Sequence, residues 1–386
     1  MGILNSFRRP VARVFAAIGL FAFFACGCGC GGAGPALRIV SYNVLTLFDA
    51  HDDGGEFPEF SVAKGSWGED GYRARLAILK KTIEAAGKAT GGGLPEIVAL
   101  QEIEGSTVIA DLAALFPGSG YAAYAAPAPL CATTVGLLAR LPVKAVRAHG
   151  SNGAGGEAGA VLRPILEVEV ETAGGPLILF VNHWKSRIEG RARTEGARLS
   201  QALLLAGLIR ERVSERPEAA VAACGDFNAD PEEGDEGLAA AGDDRPQRAL
   251  GLLASNRTYG AGLACAIAAA GDPAECAAWN AEGRGRALAL GSPWLLADPR
   301  SGLRPEGASY AYRDAWQRID HFFLCPGLMD GKALDFDSFQ ALRSDFLLDQ
   351  RGFPRPWSRK DPAGASDHLP IVLSLRTLPP DGPALQ

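Results

Sequence analysis

Six short polar clusters stand at the ends of apolar runs in this chain, and their residue types are those of phosphoester chemistry. The run Leu37–Val44 carries Asn43, and the run at 96–100 leads into Gln101 and Glu102. Leu177–Val181 leads into Asn182 and His183, and an Ala-rich run through Cys224 delivers Gly225, Asp226, Phe227 and Asn228. Arg318 and Ile319 deliver Asp320, while Ser366, Asp367 and His368 precede the last apolar run. Carboxylates aimed at one point repel one another, which a hard divalent cation relieves. A His beside a buried Asp is held in one tautomer or stabilised as its cation. Asn amides and His donate to charge developing on a phosphoryl oxygen. The residues alone therefore point to metal-assisted hydrolysis of a phosphoester. One Asp or Asn at a strand end is ordinarily a turn residue; the joint occurrence carries the reading.

The elements that must position these residues are those of one long α/β domain. Leu37–Val44 is β-rich and reads as the first strand, and Tyr72–Ala86 puts Leu76, Leu79, Ile83 and Ala86 on one helical face that Gly87 ends. Glu96–Leu100, Thr134–Leu138, Val161–Val170, Leu177–Val181, Ala219–Ala223, Ile319–Leu324 and Leu369–Leu375 read as further strands. Leu199, Leu203, Ala206, Ile209 and Val213 form a second helical stripe, stopped by Pro217. The stretch 232–305 is the least patterned and reads as an insertion carrying short helices, with Trp279 and Trp294 as local core.

The ordered set Asn43, Gln101-Glu102, Asn182-His183, Gly225-Asp226-Phe227-Asn228, Arg318-Ile319-Asp320-His321 and Ser366-Asp367-His368 resembles the endonuclease/exonuclease/phosphatase superfamily in its deoxyribonuclease I-like form. The resemblance spans Leu37 to about Arg376 and implies an α/β fold, a two-layer β-sandwich flanked by helices in four α/β/β/α layers. It implies that Glu102 is the principal Mg²⁺ ligand (Mn²⁺ being the substitute), with Asn43 and Asp367 holding the metal or its waters. By the same resemblance Asp226 activates the attacking water, and Asn228 grips the scissile phosphate. His368, braced by Asp320, stands beside that phosphate, and His183 assists the leaving group. No carboxylate partner for His183 is identifiable in the sequence. Arg163, Lys185 and Arg187 are candidate substrate contacts. His321 should point away from the site, His51 and His149 read as solvated loop residues, and Asp49, Asp52 and Asp53 as a solvated acidic loop.

Composition limits what such a site can act on. The chain has 386 residues, 47% hydrophobic, with 38 basic and 44 acidic side chains, so disorder and bulk coating of nucleic acid are both excluded. Arg8, Arg9 and Arg13 followed by apolar Val14–Ala25 read as a signal peptide over 1–25, too short to span a bilayer comfortably. Cys26 with the Gly/Cys-rich tether 26–36 resembles a bacterial lipoprotein signal, and an unlipidated cleaved signal or a short uncleaved anchor are the alternatives. The implied location is export to a bacterial cell envelope by an N-terminal lipid anchor, otherwise periplasmic or secreted. Loss of residues 1–25 removes three Arg and no acidic residue, taking the formal charge from −6 to −9. Positive charge is instead concentrated in Lys185, Arg187, Arg191, Arg193 and Arg198, where a phosphate backbone could dock. Of the remaining cysteines, Cys265 and Cys276 flank a short loop and are the expected disulfide, while Cys224 and Cys325 read as buried thiols. The domain is expected over 37–376, with a tail at 377–386.

The expected activity is Mg²⁺-dependent hydrolysis of phosphodiesters by an exported nuclease of low sequence specificity. One alternative is a sphingomyelinase-like phospholipase C or a phosphatase on small organic phosphates. That enzyme calls for an exposed apolar hairpin, for which Trp67 and Trp184 are isolated candidates. The other alternative is a surface binding protein on the same scaffold without catalysis.

Overall fold

The computed structural model describes residues 36–150, 161–232, 248–253, 265–282 and 287–379. The segments read as export signal and tether lie outside the described residues up to residue 35, as do tail residues 380–386. Among the described residues no helix is long and apolar enough to cross a membrane.

Strand β1 (Leu37–Leu47), helix α1 (Glu69–Ala89), strand β2 (Ile97–Ile103), helix α2 (Ser106–Ala114), and strands β3 (Ala122–Ala125), β4 (Thr134–Ala139) and β5 (Val143–His149) open the fold. They are followed by β6 (Ile165–Thr172), β7 (Gly175–His183), α3 (Arg191–Glu215), β8 (Ala220–Asp226), β9 (Arg248–Leu253), β10 (Cys265–Ala270), α4 (Pro273–Glu282) and β11 (Leu288–Gly291). The short pair β12 (Tyr310–Tyr312) and β13 (Ala315–Gln317) precedes β14 (Asp320–Leu324), β15 (Leu334–Ala341) and β16 (Ile371–Thr377).

These strands build two facing mixed sheets, ordered β15-β16-β1-β2-β4-β3 and β5-β6-β7-β8-β14-β11-β10-β9. Period-two alternation assigns each side chain to a layer. Ile39, Ile97 and Leu373 of the first sheet meet Leu179, Ala222 and Phe322 of the second in the central core. Val40, Val98 and Val372 turn the other way onto Leu76, Leu79 and Ile83 of α1. Ile178, Val221 and Phe323 turn onto Leu205 and Ile209 of α3. The result is the expected α/β/β/α sandwich.

The stretch near 232–305 departs from expectation. It supplies β9, β10 and β11, which extend the second sheet beyond β14, with β10 parallel to both neighbours. Its Ala-rich sequence reads as helical by propensity, yet Cys265–Ala270 are all buried between covering layers. Small side chains buried on both faces suit an inner parallel strand, and that packing overrides intrinsic propensity.

The expected Cys265–Cys276 disulfide is not formed, and both cysteines are buried. Cys265 opens β10, whereas Cys276 lies in α4 beyond the strand's other end. A strand of six residues separates its ends by roughly 16 Å, and α4 follows from the end opposite Cys265.

Candidate active site

The polar clusters converge at one end of the sandwich because adjacent strands place them in register. His183 pairs with Asp226 across β7–β8, and Asp226 pairs with Asp320 across β8–β14. Asn43 pairs with Gln101 across β1–β2 in the facing sheet. Gly225 makes the first of these alignments possible. It has φ +138, and a Cβ there would lie 1.9 Å from the Asn182 carbonyl oxygen. Only glycine lets β8 approach β7 so closely before Asp226.

Glu102 is extruded from its sheet. Asn43 and Leu47 of β1 pair with Gln101 and Ile103, so three residues of β1 stand against Glu102 alone. The same residue has no partner in β4. Leu45, Thr46 and Glu102 all have positive φ, at 56, 51 and 64. Such backbone persists where surrounding contacts hold it, and functional sites collect it. The Thr46 N–H donates to Glu102 Oε2 at 2.9 Å, and Asn43 Nδ2 donates to Glu102 Oε1 at 3.1 Å.

Asn43 also donates to Asp226 Oδ2 at 3.0 Å, while its own Oδ1 accepts the Leu45 N–H at 3.0 Å. In this orientation it holds the carboxylates of Glu102 and Asp226 in place. Asp226 Oδ1 accepts the backbone N–H of Asn228 at 2.9 Å. Asn228, in left-handed conformation at φ 49, donates its side-chain amide to the Trp184 carbonyl at 3.2 Å.

Asp320 lies 2.8 Å from His368 Nδ1 and accepts the Ser309 hydroxyl at 2.6 Å. His368 Nε2 faces Asp226 Oδ2 at 3.9 Å and Asp367 Oδ1 at 4.0 Å. Burial opposes the charge on His368, but Asp320, Asp367 and Asp226 outweigh it and push its pKa up to about 10. His183 is the opposite case. Burial, then the charges of Arg163 and His368, hold its pKa well below the usual value, so it is neutral. Its Nε2 stands 3.6 Å from Asp226 and 3.7 Å from Glu102, and its buried Nδ1 has no partner among the described residues. Burial pushes Asp226 up to about 7, with Asp320 adding to it. Asp367 is raised as well, first by burial and then by Glu102.

The buried ligand atoms of Asp226, Asp320 and His368 lie within 4.8 Å of one another, a group able to hold a metal ion. Within that group Asp320 Oδ2 and His368 Nδ1 are engaged with each other, which leaves Asp320 Oδ1 and His368 Nε2 facing the centre. Glu102 and Asp367 add two partly exposed oxygen donors, at 21% and 34%. Asp367 is raised mainly by burial and further by the charge of Glu102, an arrangement a hard cation would relieve.

The basic run beyond His183 separates on folding. Lys185 pairs with Glu189, and Arg187 donates to Gln317 at 2.7 Å. Arg198 is fully buried, bonded to Glu195, Thr194 and the Lys185 and Arg191 carbonyls. It anchors α3 and is closed to substrate. Arg163 and Lys185 line one cavity, while Arg187 stands beside Asn228 in another.

Several bland readings are also revised. His149 is not solvated but lies 2.7 Å from Glu167, whose side chain is fully buried. Asp49 is buried and accepts the His51 N–H at 2.8 Å, ordering its loop. Trp67 and Trp184 are core residues, so neither forms an exposed apolar hairpin. His51 is exposed, and His321 is buried against Phe227 and Phe323 away from the centre.

Three contributors escaped sequence reasoning. Arg75, 1% exposed, donates to the carbonyls of Val44, Leu45 and Ala365 and so ties the β1 bulge to the segment before Asp367. An Arg on the apolar face of a helix was its signal. Ser309 orients Asp320, and the Tyr310 ring lies 4.5 Å from that of His368. Both follow the unpatterned insertion and carried no local signal.

No curated protein sequence matches the chain at a significant level. Solved structures do. One is an endonuclease/exonuclease/phosphatase from Bacteroides vulgatus, 14% identical, covering 89% of this chain and 100% of that one with a TM-score of 0.50. A family protein from Bacteroides thetaiotaomicron, 16% identical, covers 89% and 99% with a TM-score of 0.47. D. rerio TDP2 complexed with single strand DNA product is 13% identical, covering 89% and 100% with a TM-score of 0.48. At such identity the Bacteroides vulgatus likeness is one of fold. Residues 38–258, more than half of the chain, match the model of the Endonuclease/Exonuclease/phosphatase family. Endonucleases, exonucleases and phosphatases are all hydrolases of phosphoester bonds. With the fold, the converging residues and this match in agreement, the chain belongs to the endonuclease/exonuclease/phosphatase family.

Proposed function

We propose that this protein is an exported nuclease of low sequence specificity that hydrolyses phosphodiesters with a divalent cation, Mg²⁺ or Mn²⁺. The observation that carries the reading is the in-register alignment of neutral His183, Asp226 and the Asp320–His368 pair beside extruded Glu102.

Asp226 is held by Asn43 and the Asn228 N–H, and burial makes it a stronger base than a solvated carboxylate. It takes the proton of the attacking water. His368, kept as imidazolium by Asp320, presents its Nε2 proton to a phosphoryl oxygen. Neutral His183 orients the leaving side through its Nε2. Glu102 and Asp367 are the oxygen donors that fit a cation; when bound, it neutralises charge on the phosphoryl group. Arg163, Lys185 and Arg187 would meet the flanking phosphates. Export by the N-terminal signal, with a lipid on Cys26, completes the proposal.

The test is turnover of plasmid DNA, RNA, sphingomyelin, inositol phosphates and bis-p-nitrophenyl phosphate with Mg²⁺ and with EDTA. Cation-dependent cleavage of the nucleic acids supports the reading. Turnover confined to sphingomyelin or to monoesters would replace it, and full activity of Asp226→Ala or His368→Ala would dismiss the site.

A further inference from the structure

A cavity of about 240 Å³ opens on the His183 side of the site, lined by Phe57, Leu130, Val161, Arg163, Lys185 and Gln201 among others. Single exposed apolar residues are ordinary on a protein surface. Here three of them, Phe57 at 39%, Leu130 at 66% and Val161 at 47% exposure, gather on one concavity. An apolar hollow with a few fixed polar groups is the usual form of a ligand subsite.

The hollow is built onto the catalytic centre. Buried Gln201 accepts the Lys185 N–H at 2.9 Å and donates to the His183 carbonyl at 3.5 Å. Thr133, in its wall, precedes Thr134, which pairs with Ile103 next to Glu102. The cavity therefore lies where β7 of one sheet and β2–β4 of the other present His183 and Glu102. A separate narrow cleft beside Asn228 is lined by Arg187, Arg191 and Arg248 together with Glu195 and Asp230. The centre is thus bordered by a hollow that sets apolar side chains against the two cations Arg163 and Lys185.

That asymmetry has a chemical counterpart in a polynucleotide, which alternates flat apolar rings with phosphates. We infer that the hollow between Leu130 and Lys185 seats one unstacked nucleobase next to the scissile phosphate, so that the protein acts on single strands in preference to intact duplex. The inference rests on the nucleolytic reading above and specifies its substrate. Arg163 and Lys185 suit the phosphate of that nucleotide, and Phe57, Leu130 and Val161 pack its ring. An acyl chain would need an apolar track leading outward, where this hollow carries cations. A base inside a duplex reaches the hollow only after leaving its stack, which disfavours duplex.

Binding is measured by fluorescence anisotropy on Asp226→Asn protein with Mg²⁺, using a labelled single strand and a hairpin duplex of equal length. The single strand is expected to bind about tenfold more tightly, within the range one packed base confers. Leu130→Ser on that background should abolish the difference, as should removal of the bases from the strand. Leu303→Ser, which removes an exposed leucine outside the cavity, should preserve it. Equal affinity for both forms, or a preference that survives Leu130→Ser, overturns the inference. Native protein that prefers single strands as stated but leaves every strand uncut overturns the nucleolytic reading and not the base subsite.

Discussion

Asp226 and Asp320 are direct cross-strand partners on β8 and β14, two carboxylates set opposite each other inside the protein. Like charges so placed destabilise a sheet. The fold accommodates them by charging His368, whose imidazolium lies 2.8 Å from Asp320 and 3.9 Å from Asp226. The pair is therefore kept for its effect on the imidazole and on Asp226.

The pH profile should report this arrangement. kcat/KM is expected to rise as Asp226 ionises near pH 7 and to fall as His368 loses its proton near pH 10. Asp320→Asn removes the largest support for the imidazolium, so the alkaline limb should move down by at least about one unit. The same variant should lose about 100- to 10,000-fold in kcat/KM. An unmoved alkaline limb would detach His368 from that limb.

Arg75 should prove indispensable to the site without touching substrate. Burial lowers its pKa to about 10, opposed by Tyr42, Glu102 and Asp367, so it stays charged at neutral pH. Arg75→Met leaves two buried carbonyls and one part-buried carbonyl without their donor, each buried one costing about 1–3 kcal/mol. Urea unfolding should show a loss of about 3 kcal/mol or more. Arg75→Lys retains the charge but cannot span the carbonyls of Leu45 and Ala365, and should recover only part of that loss. Native stability in the methionine variant would refute the role.

Cation binding should be readable without turnover. At a hundredfold excess over Kd, Mg²⁺ should stabilise the native protein by about 2.7 kcal/mol, seen as a rise in Tm that EDTA reverses. Glu102→Gln should lose most of that rise. A full Mg²⁺ response in this variant would move the cation elsewhere, towards Asp226 and Asp320.

Acid should weaken the second sheet through Glu167. Burial would raise its pKa, but His149 and Arg212 outweigh this and take it from 4.5 to about 2. A lowered carboxylate contributes stability that is complete above its unfolded pKa and lost as pH falls through the folded one. About 3 kcal/mol should therefore disappear between pH 5 and 2. Glu167→Gln should flatten that window in urea titrations at successive pH values; an unchanged slope would exclude Glu167 as its source.

The sequence by itself determined the family and the layers. Asn43, Glu102, His183, Asp226, Asp320 and His368 were legible because each stands at or near the end of an apolar run, and period-two burial is local information. Tertiary structure decided the rest. It turned Asn43 into a holder of carboxylates, buried Arg198, and brought Arg75, Ser309 and Tyr310 to the site from segments with no local pattern. It converted an Ala-rich insertion into inner strands and placed Cys265 in one of them and Cys276 in the following helix without a disulfide. The physical reason is common to all of these. A residue's polarity and its immediate neighbours fix which face it shows, whereas its partner is chosen by chain segments far away in sequence. Arg75 and Ala365, 290 residues apart and joined by one hydrogen bond, are the measure of that distance.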